Sequence, residues 1–206
     1  MQEKDWKTIA DIPPTHASAQ PEAVAFSFEG RDTTFEEFNR HTNQVANALL
    51  AAGVKKDDRL CYLGKNSDHY FELFLGAAKM GAVTTPIGWR LAPPEIAYIV
   101  NDSRAPFLFV GPEFTGAAKE VLKDAPHVKT TIAMEGGVPE WQSFEAWRDM
   151  QPSTPPHVEL KPTDIALHLY TSGTTGRPKG TMLMNSNFIE THHILKNAKI
   201  EWNNWT

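Results

Sequence analysis

The chain has 206 residues, 41% hydrophobic and 22% charged, enough to bury one large core or two small ones. Its formal net charge of −5 leaves no basic excess for phosphate-backbone contacts, so nucleic acid is not an expected partner. One cysteine, Cys61, excludes an intramolecular disulfide and a cysteine zinc site; within Arg59-Leu60-Cys61-Tyr62-Leu63 it reads as a core residue of a buried strand rather than a nucleophile.

Met1-Gln2-Glu3-Lys4-Asp5-Trp6 is polar and lacks the apolar run of a secretory leader. Val24–Phe28 alternates as a strand and is followed by a turn at Glu29-Gly30-Arg31-Asp32. Thr34 and Glu37 form a capping box, after which Phe35, Phe38, Thr42, Val45 and Leu49 make one helical face closed by Gly53. Leu60–Leu63 is a strand, and Asn66 or Ser67 caps a helix running to about Met80. The apolar stretch from Phe71 to Val83 is broken by Glu72, Gly76, Lys79 and Gly81, so no transmembrane span is expected and the protein reads as cytoplasmic. Ala82–Pro86 is a short apolar strand, Pro93-Pro94-Glu95 starts a helix ending near Asp102, and Phe107–Val110 is a buried strand. Glu113–Leu122 reads as helix and Thr130–Met134 as strand. Prolines cluster at 13–14, 93–94 and within Gln151–His157, where they mark boundaries. The chain is therefore divided into a first α/β subdomain (1–150), a proline-rich linker (151–162) and the start of a second subdomain (163–206). There, Ile165–Tyr170 is a strand, a glycine-rich loop follows, Thr181–Met184 is the next strand, and Asn185 or Ser186 caps a last helix toward Lys199. Strands alternating with helices give an α/β class with mostly parallel sheets covered by helices.

The glycine-rich loop carries the chemistry. Residues 171–180 hold the hydroxyls of Thr171, Ser172, Thr174 and Thr175, the glycines Gly173, Gly176 and Gly180, and the cations Arg177 and Lys179. Glycines let backbone N–H groups converge on one point, hydroxyls add donors without bulk, and Lys179 adds a full charge, a set suited to a polyphosphate. A Walker A loop does not fit: counted from Gly173, the sixth position is Pro178, and Gly180 stands where the magnesium-binding hydroxyl belongs. A serine-hydrolase elbow fails because Tyr170 stands two before Ser172. A glycine-rich hairpin without ligand is the plainer alternative. No metal site is read elsewhere. His192-His193 are adjacent on a helix and diverge; Glu36-Glu37 and Asp57-Asp58 are helix-start and turn acids.

Tyr170-Thr171-Ser172-Gly173-Thr174-Thr175-Gly176-Arg177-Pro178-Lys179-Gly180 resembles the signature loop of the adenylate-forming superfamily of acyl-CoA ligases, peptide-synthetase adenylation domains and luciferases. Lys79–Pro86 followed by Trp89-Arg90-Leu91-Ala92-Pro93-Pro94-Glu95-Ile96 resembles the upstream motif in its fatty acyl-CoA ligase form, and the likeness runs from about Thr15 to Phe188. The resemblance implies the incomplete N-terminal domain of an enzyme that activates a carboxylic acid, a fatty acid first, to acyl-AMP and then acyl-CoA, using ATP, magnesium and CoA. Thr171, Ser172, Gly173, Thr174, Thr175, Gly176 and Lys179 would hold the ATP phosphates, with Tyr170 and Arg177 supporting the loop. The catalytic lysine, the magnesium acids and the ribose aspartate of the family are expected beyond Thr206, so the chain is expected to be an inactive fragment. The alternatives are an adenylation domain of a non-CoA system such as a peptide synthetase, and a non-catalytic nucleotide-binding fragment. His168, Gly88 and Asn185-Ser186 depart from the family's usual residues. A strand at Ile165–Tyr170 with an open edge is expected to drive self-association.

Overall fold

The computed structural model describes residues 3–136, 138–171 and 178–197. In chain order its helices are α1 (Ile12–Ala19), α2 (Phe35–Ala51), α3 (Asp68–Met80), α4 (Pro93–Ser103), α5 (Thr115–Lys123), α6 (Phe144–Asp149) and α7 (Asn185–Asn197). Its strands are β1 (Val24–Phe28), β2 (Arg31–Thr34), β3 (Arg59–Leu63), β4 (Val83–Ile87), β5 (Phe107–Val110), β6 (Thr130–Ala133), β7 (Gln142–Ser143), β8 (Ile165–Thr171) and β9 (Lys179–Met184). β1 and β2 form a hairpin, and the other seven strands form one sheet in the order β7-β6-β5-β3-β4-β8-β9. Every pairing in that sheet is parallel except β8 with β9.

The apolar runs of β3 and β5 follow from cover on both faces. Leu60, Tyr62, Phe107 and Phe109 point into a core with residues of α2, α3 and α6. Cys61, Leu63, Leu108 and Val110 point the other way, into a core with α4 and α5. Burial pushes the Cys61 thiol up to about 12, as befits an inert core residue. The predicted capping box is formed: Glu37 N donates to Thr34 Oγ1 at 3.2 Å, and Thr34 N donates to Glu37 Oε2 at 2.9 Å. Ser67, rather than Asn66, caps α3 by accepting from Tyr70 N at 3.2 Å, and Gly81 ends that helix in the left-handed region at φ 77°.

Four expectations change. Pro13-Pro14 sit inside the first turn of α1 instead of marking a boundary, because an early proline lacks only an N–H that has no helical partner there. Arg31 and Asp32 belong to β2; the turn is Glu29-Gly30, both at positive φ (47° and 80°), a geometry that hairpins favour. α6 and β7 were not expected at all. Finally, Ile165–Tyr170 is not an open edge: β8 lies between β4 and β9, because the chain turns back on itself and pairs along the strand to Ile165, with one register shift between Ile165 and Leu167. Among the described residues the outer strand on this side is β9.

The proline-rich segment has no regular structure, yet it is fixed. Asn43, Gln44 and Asn47 of α2 donate to the carbonyls of Ser153, Gln151, and Pro152 and Thr154, at 2.8–3.2 Å. Lys56 then pairs with Asp164 at 2.6 Å, just before β8. Asn185, expected as a helix cap, is instead a buried clasp: its Oδ1 accepts from Ile9 N at 3.0 Å and its Nδ2 donates to Asp164 O at 3.1 Å. The N-terminal segment is thereby tied to the start of α7.

Candidate phosphate-binding loop

β8 runs parallel to β4, so its end at Thr171 lies at the carboxyl-end edge of the sheet, where open parallel sheets place their ligands. The chain then returns antiparallel, with Tyr170 opposite Gly180 and Thr171 opposite Lys179. Residues directly opposite in such a ladder share a face, so the hydroxyl and the ammonium rise on the same side. Both residues are exposed. Thr171 Oγ1 lies 3.5 Å from the Lys179 carbonyl, at the outer limit of a hydrogen bond. Of the residues expected to hold phosphate, Thr171 and Lys179 are thus brought together at the root of the hairpin. Ser172, Gly173, Thr174, Thr175 and Gly176 lie outside the described residues, as does Arg177.

The opposite face of the root is packed. Tyr170 rests against the α4–α5 core and donates its hydroxyl to Asp102 Oδ2 at 2.6 Å. Burial and that carboxylate both push its phenol above the usual range. His168 lies beside Tyr170, ring centroids 4.8 Å apart, in the space that a side chain on Gly180 would need. Gly180 is therefore required for close approach, not for a turn. Burial, and then the nearby Arg59, lower the His168 pKa from its ordinary value, which favours the neutral ring. Sequence reading set His168 aside as a departure and missed Asp102, which lies 68 residues upstream and has no motif of its own.

At the root, Asp102 accepts from Tyr170; Asp164, held by Lys56 and at 2.7 Å by Lys161 N, stands at the far end of β8. The exposed hydroxyl and ammonium at the root suit an anion. A cleft of about 380 Å³ at the carboxyl ends of β3, β5 and β6 is a poor anion site, because its single basic lining residue, Lys65, is paired with Glu113 at 2.5 Å. Asp68, His69 and Glu135 bring one possible ligand atom each within 4.8 Å of one another. Arg31 already takes both Asp68 oxygens at 2.9–3.3 Å, which satisfies the buried carboxylate without a metal. No helix among the described residues is long and apolar enough to cross a membrane.

Residues 14–204 match the family described as AMP-binding enzyme. A fatty acid–acyl-carrier-protein ligase of Streptomyces coeruleorubidus is 38% identical over 200 residues, covering 97% of this chain and 37% of that protein. A long-chain-fatty-acid–CoA ligase of Mycobacterium tuberculosis is 32% identical over 191 residues, covering 90% of this chain and 35% of that protein. Among solved structures, an anthranilate CoA ligase in complex with anthranoyl-AMP superposes with a TM-score of 0.86 at 29% identity, covering 94% of this chain and 38% of that one. The chain therefore spans about a third of the length of the curated relatives it matches.

Proposed function

The chain belongs to the AMP-binding enzyme family, and from that premise we propose that it supplies the phosphate-binding loop of an ATP-dependent ligase that activates a carboxylic acid, a fatty acid in the first instance. The observation that carries this reading is the hairpin root, where Thr171 and Lys179 stand exposed and opposite one another, and between them in the sequence lies a run of hydroxyls and glycines. In the first half-reaction a carboxylate oxygen bonds to the α-phosphorus of ATP and the bond to pyrophosphate breaks. Thr171, Ser172, Gly173, Thr174, Thr175 and Gly176 would donate to the β- and γ-phosphates, and Lys179 would offset the charge that gathers on the departing pyrophosphate. In the second half-reaction a thiol attacks the acyl carbonyl and AMP leaves. Magnesium, when bound with ATP, would neutralise phosphate charge, and the family resemblance implies that its carboxylate ligands lie beyond Thr206. The division of the chain at 151–162 is part of the same proposal.

A second reading concerns the thiol. The likeness to M. tuberculosis and other CoA ligases favours CoA. The likeness to a fatty acid–acyl-carrier-protein ligase favours a carrier-protein thiol. Acid-dependent ATP–pyrophosphate exchange tests the shared first half. With a panel of fatty and aryl acids, the 206-residue chain is expected to give no exchange, and a version extended to the relatives' full length is expected to give it. Exchange by the short chain would show that the catalytic groups are misplaced, and silence from the extended enzyme with every acid would remove the assignment. CoA and a carrier protein, offered in turn to the extended enzyme, then distinguish the two acceptors.

A further inference from the structure

A hydrogen bond ties the root of the loop to a helix far away in the sequence. Asp102 stands in the last turn of α4, the helix that opens at Pro93-Pro94, and it is exposed. Its Oδ2 accepts from the Tyr170 hydroxyl at 2.6 Å, and Tyr170 is the residue opposite Gly180. His168, opposite Met182, closes over Gly180 from the same face. One step along each strand, on the other face, stand Thr171 and Lys179. A shift of Tyr170 therefore passes to the Thr171–Lys179 pair through a single peptide on one strand and a single register step on the other. A carboxylate near a phosphate site repels the ligand by its charge, so what Asp102 contributes is the hydrogen bond.

We propose that Asp102 is a positioning residue for the phosphate loop: through Tyr170 it fixes the root of the β8–β9 hairpin, and with it Lys179, against α4. This rests on the reading of residues 171–180 as phosphate-binding. It also couples the two stretches of sequence that carry the family likeness, because α4 grows out of the segment beginning Trp89-Arg90.

The experiment is calorimetric titration of ATP into the chain, its Asp102→Asn, Asp102→Ala and Tyr170→Phe variants and the double variant Asp102→Ala/Tyr170→Phe, with urea unfolding of each. Asp102→Ala and Tyr170→Phe are each expected to weaken binding about fivefold to tenfold, the effect of losing one hydrogen bond of ordinary strength. The double variant should be no weaker than either, because both remove the same bond. Asp102→Asn should bind within about twofold of the unaltered chain, since its side-chain carbonyl still accepts. A merely structural role would lower the urea midpoint without producing this order of affinities. Should Asp102→Ala fail to fold, Tyr170→Phe and Asp102→Asn carry the test. Unaltered affinity in Tyr170→Phe, multiplying effects in the double variant, or an Asp102→Asn as weak as Asp102→Ala would each overturn the inference alone. No measurable ATP binding by the unaltered chain would instead overturn the phosphate reading beneath it.

Discussion

At Lys79 an ammonium is buried between α2 and α3 among neutral oxygens. Its Nζ donates to Asn39 Oδ1 at 2.8 Å, to Asn43 Oδ1 at 2.6 Å and, more weakly, to Asn39 O at 3.4 Å. Burial pushes its pKa down to about 7. The sign follows from proton counting. Between about pH 7 and the ordinary lysine value of 10.5 the unfolded chain holds a proton that the folded chain has released, so stability rises with pH through that window. The slope is at most about 1.4 kcal/mol per pH unit, and below the folded value the full penalty stands. Urea unfolding at pH 7, 8 and 9 should show this rise in the natural chain and a flatter profile in Lys79→Met. Parallel profiles would mean that the amine is charged throughout. The sequence places Lys79 in a motif but does not reveal its burial, since a lysine in an apolar helix also reads as one that reaches solvent.

Between elements, a buried polar tie is the cluster around Glu72. This α3 carboxylate, 2% exposed, is bonded to Arg148 of α6, 6% exposed, and accepts from His41 Nδ1 of α2 at 2.7 Å. Three helices on one face of the sheet thus share a buried charge. Removing Arg148 leaves that carboxylate short of its partner, so Arg148→Ala is expected to destabilise the fold by about 3–5 kcal/mol, measured as a lowered urea midpoint. A loss under 1 kcal/mol would mean that water or His41 replaces the guanidinium. The same cluster shows what sequence could not reach. α2, α3 and α4 were legible because cap and stop signals such as Thr34, Ser67 and Gly81 act within four residues. α6 has six residues, too few for a periodicity, and its place is set by Phe144 and Trp147 in the core and by Arg148 on Glu72. In the same way, the strands on either side of the loop were legible from their apolar runs, whereas the Asp102 bond and the clasp at Asn185 act across 68 and 176 residues and leave no local pattern.

For the molecule as a whole, the described sheet ends at β9, where Met182 is 54% and Met184 37% exposed, with Ile194 of α7 at 66%. An outer strand bearing apolar side chains is a template for pairing. We propose that the isolated chain self-associates through β9, so light scattering should show mass rising with concentration and Met182→Lys should reduce that rise. A monomer at all concentrations would contradict it. The central claim, that residues 171–180 hold phosphate, is tested most directly by titrating ATP into the chain and into Lys179→Ala. The account predicts that the substitution costs about 1.5–3 kcal/mol of binding, the worth of a hydrogen bond to a charged group. Equal affinities in the two proteins would contradict it.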